Sequence, residues 1–233
     1  MSGVKNDTAL PQGEAKVKAV DDMFDAIAPR YDLLNRLLTF GMDVGWRRKT
    51  VRSLGLPPGS RVLDVACGTG DLCRELEKRG YRAVGVDRSA GMLAAQRTTV
   101  PLVRGDALRL PFRTNGLDGI VCGFALRNFA SLRPFLDECA RVLRPGGRVG
   151  LLEVSQPENA VLRWGHGLYF GRVVPLVGGL ISDRDAYRYL PKSVAYLPPP
   201  ARMVSMLGEA GFGAAARRPL STGIAQLLTG TRR

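Results

Sequence analysis

The sequence is poor in the residues that usually build metal centres and disulfide frameworks. It contains one histidine and four cysteines, and the cysteines do not follow the spacing of a zinc motif: Cys67, Cys73, Cys122 and Cys139. Neither a zinc site nor a disulfide framework is therefore expected, and no residue is predicted to bind a metal. Thiols that stay reduced suit a cytoplasmic protein.

The sequence also lacks an uninterrupted apolar run that could cross a bilayer. Its most apolar region, 160–181, contains five glycines and four other interruptions: Arg163, His166, Arg172 and Pro175. The first residues, 1–11, are polar and do not contain the apolar core of a signal peptide. We interpret 160–181 as helices that lie over a site, with an ordinary peripheral pair of helices as the alternative.

Acidic residues and lysines are scarce relative to arginine. The chain has 34 basic and 21 acidic residues, a net charge of +13, and only six lysines. A surface of this kind attracts anions, which could belong to an anionic membrane, an acidic substrate or RNA. Nucleic acid is not favoured, because no concentrated basic tract with interleaved aromatic residues is present. A general preference for arginine in a soluble enzyme is the remaining explanation.

Regular alternation of apolar runs and helical spacing indicates an α/β domain with a parallel sheet. Strands are predicted at 62–66, 82–87, 101–106, 117–124 and 148–154, and helices at 89–97, 131–143 and 201–210. Two last segments, 213–220 and 224–229, are typical of a closing antiparallel hairpin.

The region before the first strand is predicted to be helical. Two short amphipathic helices meet near Pro29, and a third covers 43–54. We therefore divide the chain of 233 residues into a tail, a helical cap and a main domain that contains a lid insertion, with the bounds 1–19, 20–58, 59–233 and about 157–200.

Residues 61–71 are the most informative stretch, Arg-Val-Leu-Asp-Val-Ala-Cys-Gly-Thr-Gly-Asp. A buried strand, a glycine turn and a helix follow one another, and glycines let a backbone approach a nucleotide closely. A dinucleotide fingerprint would need a third glycine where Cys73 stands, and Asp64 suits a cationic ligand better than a pyrophosphate. The stretch resembles the first motif of class I S-adenosylmethionine-dependent methyltransferases, which implies cofactor contacts from Asp64, Gly68 and Gly70. An NAD-type site and a structural turn are the alternatives.

Two further acidic residues end the next two predicted strands. Asp87 lies seventeen residues after Gly70, where a carboxylate can accept both hydroxyls of an adenosine ribose. Capping the following helix is a compatible alternative role for Asp87. Asp106 could accept from an adenine amino group while the Ala107 N–H meets a ring nitrogen, although an aspartate in such a loop is often a turn residue.

Further motifs are spread over nearly the whole chain. The most distinctive are Tyr-Asp-Leu-Leu-Asn at 31–35, Leu-Arg-Asn at 126–128 and Gly-Ile-Ala at 223–225, accompanied by Met-Phe-Asp at 23–25 and Glu-Val-Ser at 153–155. In these motifs the sequence resembles the ubiquinone/menaquinone biosynthesis C-methyltransferase family.

This resemblance implies a Rossmann-like class I methyltransferase. Its fold would be a seven-stranded, mainly parallel sheet with a terminal antiparallel hairpin and helical lids at the N-terminus and in mid-chain. The implied reaction is methylation of a ring carbon of a prenylated quinol, most simply demethylmenaquinol to menaquinol, with S-adenosylmethionine as the donor. The family's cofactor positions correspond to Thr69, Asp87, Asp106 and Ala107.

The Leu-Arg-Asn loop contains the expected catalytic residues, Arg127 and Asn128. Arginine stays protonated and is a poor base, so we expect Arg127 to stabilise a phenolate or to orient a water that takes the proton. Asn128 would fix the geometry, and a structural salt bridge is the alternative for Arg127. Lid contacts to the quinol are expected from Tyr31, Tyr187 and Tyr189, with half-buried packing as their alternative.

Two departures from the family's pattern leave the substrate open. Residues 123–125 read Gly-Phe-Ala where Ser-Phe-Gly is usual, and 226–228 read Gln-Leu-Leu near the position of a usual histidine. Another quinol, a phenol or a secondary metabolite is therefore an alternative acceptor. A non-catalytic protein that binds RNA or a cofactor is an alternative from another class, against which the intact acidic residues argue.

The expected setting follows from the resemblance and the charge together. The protein would work in the cytoplasm, at the inner face of the cell membrane if it meets an anionic lipid surface. The sequence does not decide between a monomer and a homodimer.

Overall fold

The computed structural model describes residues 13–169 and 193–233. None of the helices in these two ranges is long and apolar enough to span a membrane.

Seven strands form one sheet in the order β3-β2-β1-β4-β5-β7-β6. The first five pair in parallel, and β7 pairs antiparallel with both β5 and β6. The strands are β1 (Arg61–Val65), β2 (Arg82–Asp87), β3 (Leu102–Arg104), β4 (Leu117–Gly123), β5 (Leu143–Val154), β6 (Phe212–Leu220) and β7 (Ala225–Arg232). The predicted fold class, including the terminal antiparallel hairpin, is confirmed.

The described helices lie before β1 and between the strands. They are α1 (Gly13–Ile27), α2 (Tyr31–Leu38), α3 (Met42–Ser53), α4 (Asp71–Glu77), α5 (Ala90–Ala94), α6 (Leu132–Val142), α7 (Ala160–Leu168) and α8 (Pro200–Glu209). A short 3-10 turn, Ala28–Arg30, contains Pro29 and separates α1 from α2, as the proline predicted.

The predicted tail is wrong for residues 13–19, which belong to α1. A tertiary contact holds this part of the helix in place. The Lys16 ammonium donates to the Phe129 carbonyl oxygen at 2.7 Å and lies 3.7 Å from the centre of the Tyr196 ring. Sequence periodicity does not reveal such a contact. The division into a cap, a main domain and a lid insertion remains a prediction.

Other element bounds differ from the predicted ones in specific places. Helix α5 ends at Ala94 instead of 97, since the Arg97 N–H is donated to the Thr69 carbonyl oxygen at 2.9 Å. The strand predicted at 148–154 begins earlier, because β5 starts at Leu143, and its register with β4 shifts within the added residues.

Helices cover both faces of the sheet, and the alternation of side chains along β1 assigns each residue to one face. Leu63 and Val65 join the core beneath α6 and α8. Val62 joins the core on the other face, which α3 and α4 cover. Asp64 shares the face of Val62, and this position decides its environment in the site.

Candidate active site

A cavity of about 130 Å³ lies beyond the carboxyl ends of β1, β2, β3 and β4. The strand order reverses at β1, which has β2 on one side and β4 on the other, and ligands of open α/β sheets bind at such a point. Four of the predicted cofactor residues line this cavity: Gly68, Asp87, Asp106 and Ala107.

Helix α1 also contributes to the wall of this cavity. The sequence did not predict this contribution. Val20, Asp21 and Phe24 line it. The helix is held there by Asp25, whose carboxylate accepts from the Ser89 hydroxyl at 2.5 Å and from the Gly91 N–H at 2.9 Å. The Met-Phe-Asp motif at 23–25 was the available signal, because it was part of the family resemblance.

Asp87 organises the glycine turn from the end of β2. One carboxylate oxygen accepts the Gly68 N–H at 2.7 Å and the other accepts the Ser89 N–H at 2.9 Å. Burial raises the pKa of Asp87. The cap of α5 is Ser89, whose hydroxyl accepts from the Met92 N–H, so Asp87 is not that cap. The carboxylate has about four lone-pair sites and the backbone N–H groups of Gly68, Arg88 and Ser89 use at most three, so it can still accept a ligand hydroxyl.

Asp106 lines the same cavity and also stabilises its own turn. One of its oxygens accepts the Leu108 N–H at 2.9 Å, and the other lies 3.8 Å from the Arg88 guanidinium. Its side chain is 48% exposed. The two alternative roles foreseen for Asp106, ligand acceptor and turn residue, are therefore compatible.

Three predicted cofactor residues do not line the cavity. Thr69 is buried and donates its hydroxyl to the Asp32 carboxylate at 2.7 Å, which joins the turn to α2. Gly70 has a φ of +92°, and a Cβ there would lie 2.4 Å from the Thr98 methyl group. The third, Asp64, is held beneath the turn.

Asp64 is 1% exposed because its position on β1 turns it toward α4. The Cys73 thiol donates to one oxygen at 3.3 Å, and the other oxygen has no hydrogen-bond partner in the described part of the chain. Burial raises the pKa of Asp64 from 3.8 to about 7. This carboxyl is therefore part of the support of the turn and not of the cavity wall.

Replacing Asp64 with asparagine should change how stability depends on pH. In the original protein the raised pKa means that the folded state binds the proton more tightly, so stability falls as pH rises from about 4 to about 7. Asparagine has no such loss. The difference in free energy of unfolding, Asp64→Asn minus the original protein, should therefore increase by roughly 2–4 kcal/mol as pH rises through this range. Urea unfolding at several pH values measures it, and a pH-independent difference would contradict it.

A larger cavity of about 380 Å³ adjoins the smaller one. It lies between α2, α3, α7 and the end of β5, and most of its wall is apolar. Apolar residues of the wall include Leu38, Phe40, Met42, Trp46, Val154, Val161, Leu162 and Ile224. The sequence predicted a lid in this region but not a cavity of this size.

Two aromatic residues, Tyr31 and Phe124, line both cavities. The Phe124 ring packs edge-on against Trp46 at 6.2 Å, and its backbone adopts a φ of +61°, which is rare for a bulky residue. Burial raises the pKa of the Tyr31 phenol, which therefore stays protonated near neutral pH. The two cavities thus meet at a shared aromatic wall.

Arg127 and Asn128 stand on opposite sides of this junction. Arg127 lines the larger cavity and Asn128 lines the smaller one. They belong to a 3-10 turn that follows β4, as expected for the Leu-Arg-Asn loop. The other two tyrosines expected to contact the substrate, Tyr187 and Tyr189, lie outside the described residues.

Arg127 also forms a buried ion pair, so the structural alternative for this residue is observed. Its Nη1 donates to Glu153 at 2.5 Å and to the Phe124 carbonyl oxygen at 2.7 Å, and its Nε donates to the Ser193 hydroxyl at 3.2 Å. Glu153 is fully buried. Within the described part of the chain Nη2 makes no hydrogen bond, which leaves its N–H groups for a ligand oxygen in the larger cavity.

A buried charge network joins the N-terminal helices to the start of α4. Asp43 pairs with Arg36 at 2.9 Å and with Arg47, and Asp71 pairs with the same two arginines at 3.4 and 3.3 Å. The Arg47 guanidinium also lies 5.4 Å from the centre of the Phe124 ring. The network therefore connects the glycine turn with the shared aromatic wall, a link that the sequence did not predict.

The strand order, the antiparallel end and the acid-lined cavity are typical of class I methyltransferases. The model of the ubiE/COQ5 methyltransferase family matches residues 12–232, and the chain belongs to this family.

Curated relatives are similar in sequence to this protein over nearly the whole chain. A demethylmenaquinone methyltransferase of Roseiflexus castenholzii is 40% identical and covers 98% of this chain and 99% of its own. One from Thermus thermophilus is 43% identical and covers 90% of this chain and 100% of its own. The ubiquinone/menaquinone biosynthesis C-methyltransferase UbiE of Geobacter sulfurreducens is 40% identical and covers 92% of this chain and 89% of its own.

Solved structures support the fold. A SAM-dependent methyltransferase from Thermotoga maritima has a TM-score of 0.65 at 17% identity and covers 91% of this chain and 99% of its own. The cyclase SpnF has a TM-score of 0.67 at 17% identity, with 96% and 97% covered. Because a cyclase shares it, the fold does not by itself specify the reaction.

Proposed function

We propose that the protein is an S-adenosylmethionine-dependent C-methyltransferase that methylates a ring carbon of a prenylated quinol, most simply demethylmenaquinol to menaquinol. The observation that carries the proposal is the large apolar cavity, which meets the acid-lined cavity at Tyr31 and Phe124. A quinol with an isoprenoid tail needs such an apolar space, and the methyl donor needs the adjoining one. The names of the relatives at 40–43% identity support the same substrate.

The smaller cavity fits S-adenosylmethionine by the chemistry of its wall. The buried Asp87 carboxylate offers acceptors for ribose hydroxyls, and Asp106 with the Ala107 N–H matches an adenine edge. Gly68 has a φ of +56°, which favours glycine and brings the turn against the cavity. When bound, the cofactor supplies an electrophilic methyl group. Asp64, Thr69 and Gly70 would support this site by holding the turn.

Arg127 is proposed to act on the quinol oxygen. Loss of the hydroxyl proton gives a phenolate whose adjacent ring carbon is nucleophilic. After this carbon takes the methyl group, its own hydrogen leaves as a proton and the oxygen regains one, which restores the aromatic quinol. The Nη2 donors of Arg127 would stabilise that oxygen, and Arg127 is the one cationic side chain among the described residues of the cavity wall. Glu153 and the Phe124 carbonyl hold the guanidinium in one orientation. We propose that a water oriented by Arg127 takes the proton and that Asn128 fixes the geometry from the cofactor side.

We also propose that the protein works in the cytoplasm and contacts an anionic membrane surface. The net charge of +13 supports this, since the inner membrane surface is negative and an isoprenoid tail resides in the bilayer. A homodimer remains compatible with the proposal.

The product assay tests the proposed reaction. Reduced demethylmenaquinone incubated with the protein and S-adenosylmethionine should gain one methyl group on a ring carbon, detected by mass spectrometry. A short-tailed, water-soluble demethylquinol in its reduced form should also react, while its oxidised form should not, because only the quinol gives a phenolate. Turnover of simple phenols without turnover of any quinol would favour another acceptor.

A further inference from the structure

Exposed apolar side chains concentrate on two helices of the protein. Nine large apolar residues are exposed in the described part of the chain, and seven of them belong to α2 with the adjoining turn or to α7. The seven are Leu33, Leu37, Phe40, Val161, Leu162, Trp164 and Leu168, which we call the α2–α7 face.

The spacing of these residues gives each helix one apolar stripe. Leu33 and Leu37 stand four residues apart on one face of α2, and Phe40 follows in the turn after the helix. On α7, Trp164 and Leu168 stand four residues apart and continue such a stripe. Trp164 is 73% exposed and Leu33 is 52% exposed, so neither stripe is covered within the described chain.

Both sides of the α2–α7 face reach the larger cavity. Phe40 beside α2 and Val161 on α7 line this cavity while remaining exposed. Tyr169 joins the two sides: its hydroxyl donates to the Leu38 carbonyl oxygen at 3.1 Å, and its ring lies 5.7 Å from that of Phe40. The apolar surface is therefore continuous from the outside of the protein into the cavity.

We infer that the α2–α7 face inserts into the interface of an anionic lipid bilayer and that the isoprenoid tail of the substrate enters the larger cavity between these helices. The inference rests on the proposed function, because it requires a substrate that resides in the bilayer. An exposed tryptophan among aliphatic residues suits the membrane–water interface. Arg163 stands beside Trp164 on a helix without an acidic residue, which adds attraction to anionic headgroups.

The test compares vesicle binding of the double variant Leu33→Ser/Trp164→Ser with the original protein. Neither residue lines the larger cavity. Co-sedimentation with phosphatidylglycerol-containing vesicles should be at least about tenfold weaker for the double variant, because two large apolar side chains no longer insert. The matched control, Val103→Ser, removes an exposed apolar residue from β3 and should bind as the original protein does.

Activity on two substrates distinguishes the inference from the proposed function. The double variant should methylate a short-tailed soluble demethylquinol at the original rate, but a long-tailed one in vesicles at least about fivefold more slowly. Unchanged vesicle binding alongside normal soluble turnover would overturn the inference and leave the proposed function intact. Failure of the original protein to methylate either quinol would overturn the proposed function. If neither protein binds vesicles, but the original protein is a dimer and the double variant is a monomer, the face would instead be the interface with a second copy of the chain.

Discussion

Replacing Arg127 with methionine is expected to lower the free energy of unfolding by about 3–5 kcal/mol, because it leaves the buried Glu153 carboxylate without its cation. Turnover of the quinol should fall as well, by about a hundredfold or more, since the phenolate loses its cationic donor. Urea unfolding measures the first effect. The rate constant at saturating substrate, compared at a temperature where both proteins are folded, measures the second.

The double variant Arg127→Met/Glu153→Gln separates the structural role of Arg127 from its proposed role in the reaction. The glutamine carries no charge, and its one carbonyl oxygen can accept one of the two backbone N–H groups that separate Glu153 oxygens accept, those of Arg127 and Val154. Stability should therefore recover in part. Turnover should stay low, with cofactor affinity near that of the original protein. A double variant that folds well and turns over normally would show that Arg127 is only half of a structural ion pair.

Replacing Asp87 with alanine is expected to weaken S-adenosylmethionine binding by about a hundredfold or more. The carboxylate accepts the Gly68 and Ser89 N–H groups, and each hydrogen bond to a charged acceptor is worth about 1.5–3 kcal/mol. Losing both would loosen the glycine turn, and the ribose would lose its proposed acceptor. Since about 1.4 kcal/mol corresponds to a factor of ten in affinity, losing the proposed hydrogen bonds to the two ribose hydroxyls accounts for the expected change. Isothermal titration calorimetry with the cofactor measures it.

Asp106→Ala is the matched comparison at the same cavity. Its carboxylate is about half exposed and accepts one N–H from its own turn, so we expect a smaller loss of about tenfold in affinity. Equal losses for the two variants would contradict the greater importance assigned to Asp87. A cofactor affinity of Asp87→Ala within about threefold of the original would remove the ribose contact from the proposal.

Most of the fold could be predicted because its signals are local. Most strands of the sheet contain a short apolar run, and the glycine turn after β1 is recognisable from a few adjacent residues. The prediction failed where a distant contact decides the structure. Residues 13–19 are helical although nothing in their own pattern separates them from a tail, and Lys16 is bonded to Phe129, more than a hundred positions away.

The candidate site was predicted only in part, and Asp64 and Asp87 show why. Both acidic residues belong to the ends of neighbouring strands, and in the sequence they look equivalent. Asp64 is the last but one residue of β1 and its side chain faces α4, so it supports the turn from below. Asp87 is the last residue of β2, and its carboxylate reaches the glycine turn and the cavity. The difference depends on strand alternation combined with the packing of α4.

The sequence by itself determined the strands and most of the helices, the glycine turn, the family resemblance and the acidic residues from which a cofactor site is built. These depend on residues close together in the chain. The tertiary structure alone decided that Arg127 pairs with Glu153 and that Thr69 bonds Asp32. It also decided that α2 and α7 enclose a second, apolar cavity. Those contacts join distant parts of the chain, and only packing of the helices on the sheet brings them within bonding distance.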